Sequence, residues 1–215
     1  MKPSTVHFVV PILVGFLLAA LPASADQKHS QHNSPQQSQD SEAKTVSVKL
    51  ADLELVDQDG NRVKFKTDVL KDRLVAIDVI YTTCPVVCPI LSSIFANVQN
   101  SLGDRLGKEV VLVSISVDPV TDIPPRLKEY AQKWGAKPGW VFLTGDKGNV
   151  DRVLQGLGAY AADYTEHPTA ILVGDVAKDG WTRLYGFAAP EQVLAKLDEL
   201  KARRQGKAHA GHGSH

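Results

Sequence analysis

The pattern of hydrophobic and polar positions along the chain predicts a mixed α/β domain. Two nearly continuous apolar runs rich in Val and Ile, RLVAIDVIY at 73–81 and EVVLVSISV at 109–117, are typical of strands buried on both faces of a sheet. Between them, apolar residues recur at helical spacing, which predicts a helix over 89–102. The order strand, helix, strand indicates a βαβ unit.

Flanking segments complete the predicted domain. Alternating apolar and polar residues around Asp59-Gly60-Asn61 predict an N-terminal β-hairpin. Asp122 is expected to cap the helix that follows it. After the βαβ unit the pattern predicts a helix at 124–134, a strand at 140–145 and a short helix at 147–158. An antiparallel strand pair at 169–175 and 180–187 and a closing amphipathic helix at 189–204 follow. We therefore expect a three-layer α/β sandwich with a mixed central sheet over residues 45–205.

Both ends of the chain have a different composition. Residues 1–25 combine Lys2, an apolar stretch and the small residues Ala23-Ser24-Ala25, which indicates a signal peptide for export. The stretch is short for a spanning helix of roughly 20 residues, but an uncleaved anchor that tethers the protein to the membrane stays open. Residues 26–44 predict a disordered polar tether, and 206–215 a disordered tail that contains histidines. Export would place the protein in the periplasm or at the outer face of the cytoplasmic membrane.

The overall charge excludes one class of partner. The chain has 24 Lys and Arg against 24 Asp and Glu, a formal net charge of +0. A balanced chain has no field that attracts nucleic acid, so we expect no nucleic-acid binding.

The candidate chemistry lies in YTTCPVVCP, residues 81–89, which contains the two cysteines of the chain, Cys84 and Cys88. They follow a predicted buried strand and open a helix, where free backbone N–H groups and the helix dipole favour a thiolate. At a spacing of four, helical geometry puts both sulfurs on one face, close enough for a disulfide or for two ligands of one metal ion. Thiolates select Cu(I) or Zn(II). The spacing alone leaves redox or metal chemistry and a plain structural disulfide equally open.

A third donor for a metal would have to be a histidine of the predicted domain. Of the seven histidines, only His167 lies outside the signal peptide, the tether and the tail. It precedes a predicted strand, in a loop that can approach the cysteines. The tail histidines His209, His212 and His215 are spaced three apart and could recruit Cu(II) or Ni(II).

Asp78 interrupts the apolar strand that leads to the cysteines. A carboxylate at this position could tune the protonation of the thiols, assist proton transfer or pair with a nearby base.

Taken together, these segments resemble the Sco/SenC copper chaperones. The resemblance rests on YTTCPVVCP, on SISVDP with TDIPPRLKEYAQKW, on WVFLTG and on the histidine before a strand in YTEHPTAILVGD. It implies a thioredoxin-like fold, copper as Cu(I) or Cu(II), and Cys84, Cys88 and His167 as its ligands. It also implies a role in delivering copper to the dinuclear copper site of cytochrome c oxidase, or in keeping the thiols of that site reduced.

The chain departs from the family pattern at two places. Val86 stands where the family usually has Asp, which removes a charge that could serve partner recognition. Pro168-Thr169 follows His167 where the family usually has Ser, and His167-Pro168-Thr169 is similar to the cis-proline loop of thioredoxins.

Three hypotheses follow. The first is a copper chaperone that acts by ligand exchange. The second is a thiol-disulfide oxidoreductase, in which Cys84, expected to be the more exposed thiol, attacks a client disulfide and Cys88 resolves the mixed disulfide. The third is a structural disulfide in a binding module, where His167 would have no role in chemistry.

Overall fold

The computed structural model describes residues 42–210, and in this part of the chain one mixed sheet is flanked by helices. The strands are β1 (Ala43–Val46), β2 (Glu54–Asp57), β3 (Arg62–Lys64), β4 (Leu74–Ile80), β5 (Val110–Ser116), β6 (Trp140–Thr144), β7 (Ala170–Asp175) and β8 (Gly180–Tyr185). The α-helices are α1 (Val87–Leu102), α2 (Pro124–Lys133), α3 (Lys147–Leu157) and α4 (Pro190–Ala210). Short helical turns occur at Phe65–Leu70, Gly103–Arg105 and Tyr164–Glu166.

Strand order in the sheet is β1-β8-β7-β4-β5-β6-β2-β3. The three central strands β4, β5 and β6 are parallel, whereas β7 pairs with β4 and β8 pairs with β7 in the antiparallel sense. The predicted hairpin is present as β2 and β3, and β2 adds to the edge of β6. Because β7 is antiparallel to β4, the loop that leads into β7 lies next to the C-terminal end of β4.

Two apolar cores fill the space on the two faces of the sheet. Successive side chains of a strand point to opposite faces, so Leu74, Ala76 and Ile80 of β4 face one core while Val75 and Ile77 face the other. The first core packs under α1, α2 and α4, and the second packs under α3. The predicted thioredoxin-like three-layer sandwich is therefore confirmed.

Element boundaries differ from the prediction at both ends of the domain. The strand β1 pairs with β8 and includes the last two residues of the segment predicted as a tether, Ala43 and Lys44. The helix α4 continues to Ala210, six residues beyond the predicted helix end at 204 and five beyond the predicted domain boundary at 205. Its last turns contain Lys, Arg, Gln and Ala, which favour helix, and these residues carry it past Gly206.

The prediction that Asp122 caps α2 is wrong. Ile123 is the N-cap residue of α2, and no side chain caps this helix. The carboxylate of Asp122 is fully buried and accepts hydrogen bonds from the cysteine loop instead, as described below.

The predicted signal peptide, most of the predicted tether, His212 and His215 lie outside the described residues. Within positions 42–210, no helix is both long enough and apolar enough to cross a membrane.

Candidate metal centre

Three loops meet at the end of the sheet that is formed by the C-terminal ends of the parallel strands. The first follows β4 and contains Cys84, the second follows β5 and leads into α2, and the third contains His167 and leads into β7. The register places Ile77 of β4 opposite Leu172 of β7, so the end of β4 and the start of β7 lie side by side. The topology thus gathers at one edge two segments that are about 80 positions apart in the sequence.

Cys84 and Cys88 are adjacent in the structure. The backbone N–H of Cys84 donates to the carbonyl of Tyr81 at 3.1 Å, which closes a tight turn after β4. Cys88 lies in the first turn of α1, and its backbone N–H donates to Sγ of Cys84 at 3.3 Å. Both cysteines are free thiols. The strand-to-helix junction therefore presents two sulfurs together, as the spacing predicts.

The two thiols differ in exposure and in acidity. Cys84 is 8% exposed and Cys88 is 0% exposed, so Cys84 is the more exposed, as expected. Burial raises the pKa of the Cys84 thiol, but hydrogen bonds from Cys88 and Val86 and from the Tyr81 hydroxyl outweigh it, and the pKa is lowered overall. Burial raises the pKa of the Cys88 thiol strongly, and the nearby Cys84 and Asp78 add to the effect. Cys84 is thus the thiol that ionises first.

His167 lies at the end of the Tyr164–Glu166 turn and is 8% exposed. Burial lowers the pKa of its imidazole, so the ring is neutral near neutral pH. Its Nδ1 lies 3.4 Å from the carbonyl oxygen of Pro168. A carbonyl can only accept, so this long contact favours the tautomer with the proton on Nδ1, in which Nε2 carries the lone pair that a metal needs. The peptide bond before Pro168 is trans, unlike that of the cis-proline loop of thioredoxins.

The structure brings the two cysteines together but leaves His167 apart from them. Among the side chains of residues 42–206, no group of three His, Cys, Asp or Glu residues is close enough to hold a metal ion. Tyr81 contacts both sides: its hydroxyl interacts with Cys84, and its ring meets the His167 ring edge-on at 6.1 Å between centroids. Two sulfur ligands are therefore in place, and a third ligand from His167 requires its ring to move toward the sulfurs.

Asp78 lies buried in β4, on the face of the sheet that packs under α1. It is 1% exposed, and neither carboxylate oxygen has a hydrogen-bond partner within bonding distance. Burial raises its pKa to about 7, and a weak interaction with Ser114, opposite it on β5, lowers the value only in part. No base pairs with Asp78 among the described residues, so the predicted pairing is wrong. The predicted influence on the thiols agrees with its effect on Cys88, and a role in proton transfer stays a prediction.

Two residues of the centre, Tyr81 and Asp122, were not predicted as part of it. The Asp122 carboxylate accepts the backbone N–H of Thr82 at 3.1 Å and the hydroxyls of Thr82 and Ser116. It thereby ties the cysteine loop to the end of β5. Thr82 and Asp122 are 40 positions apart in the sequence, so no local pattern predicts the hydrogen bonds between them. The sequence signal at Asp122 was the motif TDIPP, which taken locally predicts a helix cap.

Replacing Asp122 with alanine is expected to lower the free energy of unfolding by about 2 to 3 kcal/mol, because one buried donor on Ser116 and two part-buried donors on Thr82 lose their acceptor. Asp163→Ala is the matched control, since Asp163 also accepts an N–H and a hydroxyl from one threonine, Thr165, but is exposed. We expect the control to cost less than about 1 kcal/mol in urea unfolding. Equal losses in both variants would contradict the role assigned to Asp122.

Comparison with known proteins agrees with this geometry. The family model SCO1/SenC matches residues 41–202. The chain belongs to the SCO1/SenC family.

Individual SCO1/SenC proteins show the extent of the similarity. Protein SenC of Rhodobacter capsulatus is 34% identical over 149 residues, which cover 66% of this chain and 65% of that protein. The structure of Bradyrhizobium japonicum ScoI with copper bound aligns at a TM-score of 0.57 and 28% identity, covering 68% of this chain and 95% of that one. BsSco, described as a Sco-family cytochrome c oxidase assembly protein with a disulfide switch, aligns at a TM-score of 0.61 and 21% identity, covering 73% and 95%. The chain spans about half the length of several other curated relatives.

Proposed function

We propose that this SCO1/SenC protein is a copper chaperone that holds Cu(I) on Cys84 and Cys88, and Cu(II) on these two residues and His167. The observation that carries the proposal is the pair of free sulfurs at the start of α1, one in contact with the backbone N–H of the other. Two thiolates suit Cu(I), whereas Cu(II) prefers additional nitrogen ligands. The neutral imidazole of His167 is a suitable nitrogen donor.

Copper would leave the protein by ligand exchange. The recipient we propose is the copper site of an exported or membrane enzyme such as cytochrome c oxidase, which the protein would load or maintain. Membership of the SCO1/SenC family and the copper-bound structure of the B. japonicum relative support copper as the cargo. The predicted signal peptide supports export to the periplasm or to the outer face of the membrane, with a tether to that membrane if the segment is retained.

The difference between the two thiols favours thiol-disulfide exchange as a second candidate function. The Cys84 thiolate would attack a client disulfide, form a mixed disulfide and release one client thiolate. Cys88, once deprotonated, would then attack the sulfur of Cys84, which closes the Cys84–Cys88 disulfide and releases the second client thiolate. The client is reduced and the protein is oxidised by the same two electrons.

The His167→Ala variant tests the proposed function. We expect its Cu(II) affinity to fall by at least about tenfold, while its Cu(I) affinity stays unchanged. Titration of the reduced protein, read through the sulfur-to-copper charge-transfer band for Cu(II) and by chelator competition for Cu(I), measures both. Parent and variant are truncated after Gly206, so that the tail histidines cannot bind the metal.

An unchanged Cu(II) affinity in this variant would remove His167 from the site. If the rate of disulfide exchange fell at the same time, the oxidoreductase would become the better description, because His167 would then act by stabilising a thiolate.

A further inference from the structure

Tyr81 contacts both halves of the candidate metal centre. It follows β4 directly, and its backbone carbonyl accepts the N–H of Cys84 at 3.1 Å. Its hydroxyl interacts with the sulfur of Cys84. On the other side, its ring meets the ring of His167 at an interplanar angle of 86° and a centroid distance of 6.1 Å. Tyr81 is therefore hydrogen-bonded to the backbone of Cys84 and packed against the imidazole at the same time.

A second residue of the loop that contains His167 also contacts the Tyr81 ring. Tyr164, three residues before His167, meets the Tyr81 ring at 5.3 Å between centroids and an angle of 77°. Edge-to-face pairs of this kind are attractive, because the positive edge of one ring meets the negative face of the other. The cysteine loop and the histidine loop are thus joined through the ring of Tyr81, and not through a contact between imidazole and sulfur.

This arrangement supplies two of the three proposed ligands. The sulfurs of Cys84 and Cys88 lie together, whereas the side chains of residues 42–206 include no three-member cluster that could hold a metal. For His167 to reach a metal on the sulfurs, its ring must leave the edge-on contact with Tyr81. Cu(I) requires no such movement, since two sulfurs satisfy it, but Cu(II) requires it to gain a nitrogen ligand.

We propose that Tyr81 is a positioning residue that restrains His167 away from the two sulfurs in the metal-free protein, and so favours Cu(I) over Cu(II). The inference rests on the copper-binding function proposed above. In this arrangement the two sulfurs can bind Cu(I) without any rearrangement. For Cu(II), the aromatic contacts of Tyr81 must break before His167 binds as the third ligand.

Removing the ring tests the restraint. We expect Tyr81→Leu to bind Cu(II) faster and roughly two- to tenfold more tightly than the parent, the factor that corresponds to the loss of an aromatic pair. Tyr81→Leu and Tyr81→Phe both lose the hydroxyl that interacts with Cys84, and only Tyr81→Phe keeps the ring, so Tyr81→Phe is the reference for the ring: Cu(II) uptake is expected to be faster in Tyr81→Leu than in Tyr81→Phe. The Cu(I) affinity is expected to be the same in these two variants. Stopped-flow measurement of the sulfur-to-copper charge-transfer band gives the rate, with all chains truncated after Gly206.

A double variant shows whether the effect passes through His167. In Tyr81→Leu with His167→Ala, the gain in Cu(II) binding is expected to disappear. Tyr164→Leu removes the second ring contact at a residue that is 38% exposed, so it is expected to fold and to raise the rate of Cu(II) uptake in the same direction. It serves as the test if Tyr81→Leu does not fold.

Slower, weaker or unchanged Cu(II) binding in the ring-deleted variants would overturn the role of Tyr81 while leaving the copper function intact. A gain that persisted without His167 would also overturn it. If the parent itself bound Cu(II) independently of His167, both this inference and the His167 part of the proposed function would fall.

Discussion

Replacing Cys88 with serine is expected to abolish tight Cu(I) binding by the reduced protein, and Cys84→Ser is expected to do the same. A single thiolate cannot supply the two soft ligands that Cu(I) requires, and the site has no third sulfur. Loss of a residue that merely supports a ligand costs about 10- to 100-fold in metal affinity, so loss of a ligand should exceed about a hundredfold. Competition with a Cu(I) chelator under anaerobic conditions measures the affinity.

Val87→Ser is the control for this experiment. It adds a hydroxyl to the same turn, next to Cys88, but keeps both sulfurs, so its Cu(I) affinity is expected to stay close to that of the parent. The chaperone proposal would lose its main support if either single cysteine variant bound one equivalent of Cu(I) as tightly as the parent.

The second large effect concerns Asp78, whose substitution by asparagine is expected to remove a pH dependence of stability. In the folded protein the pKa of Asp78 is raised from 3.8 to about 7, since the carboxyl is buried and has no hydrogen-bond partner within bonding distance. The folded chain therefore keeps a proton that the unfolded chain has already lost. The contribution of Asp78 to the free energy of unfolding should be largest below about pH 4 and should fall up to about pH 7, by about 4 kcal/mol for roughly three pH units.

Asp78→Asn is neutral at every pH and close to the same size. We expect it to unfold with a free energy close to that of the parent near pH 4 and to be more stable than the parent above about pH 7, by up to about 4 kcal/mol. Urea unfolding of the reduced, copper-free proteins at a series of pH values gives the comparison. Asp104→Asn removes a carboxylate from an exposed position and controls for the change in net charge. Parallel curves for parent and Asp78→Asn would mean that the buried carboxyl does not titrate as described.

Local patterns in the sequence were sufficient to predict the centre of the fold. The apolar runs that became β4 and β5 are buried at every position, so their character is visible without any knowledge of their neighbours. The strand β1 was not predicted, because three of its four residues are exposed and its only reason to be extended is its pairing with β8. Such an edge strand depends on a partner more than 130 positions away.

The same distinction applies to the candidate centre. The contact between Cys84 and Cys88 follows from a spacing of four at the start of a helix, so it could be predicted. The hydrogen bonds of Asp122 and the ring contacts of Tyr81 join loops that are far apart in the sequence. The position of His167 relative to the sulfurs depends on the conformation of its loop, which neither periodicity nor composition specifies.

The burial of the two sulfurs determines the order in which an incoming ligand would meet them. Cys88 has no exposed surface, and Cys84 presents only a small part of its own, so an incoming ligand meets Cys84 first. Under the proposed copper function, an acceptor would therefore meet the metal on the Cys84 side, and the bond to the more buried Cys88 would be the last to be exchanged.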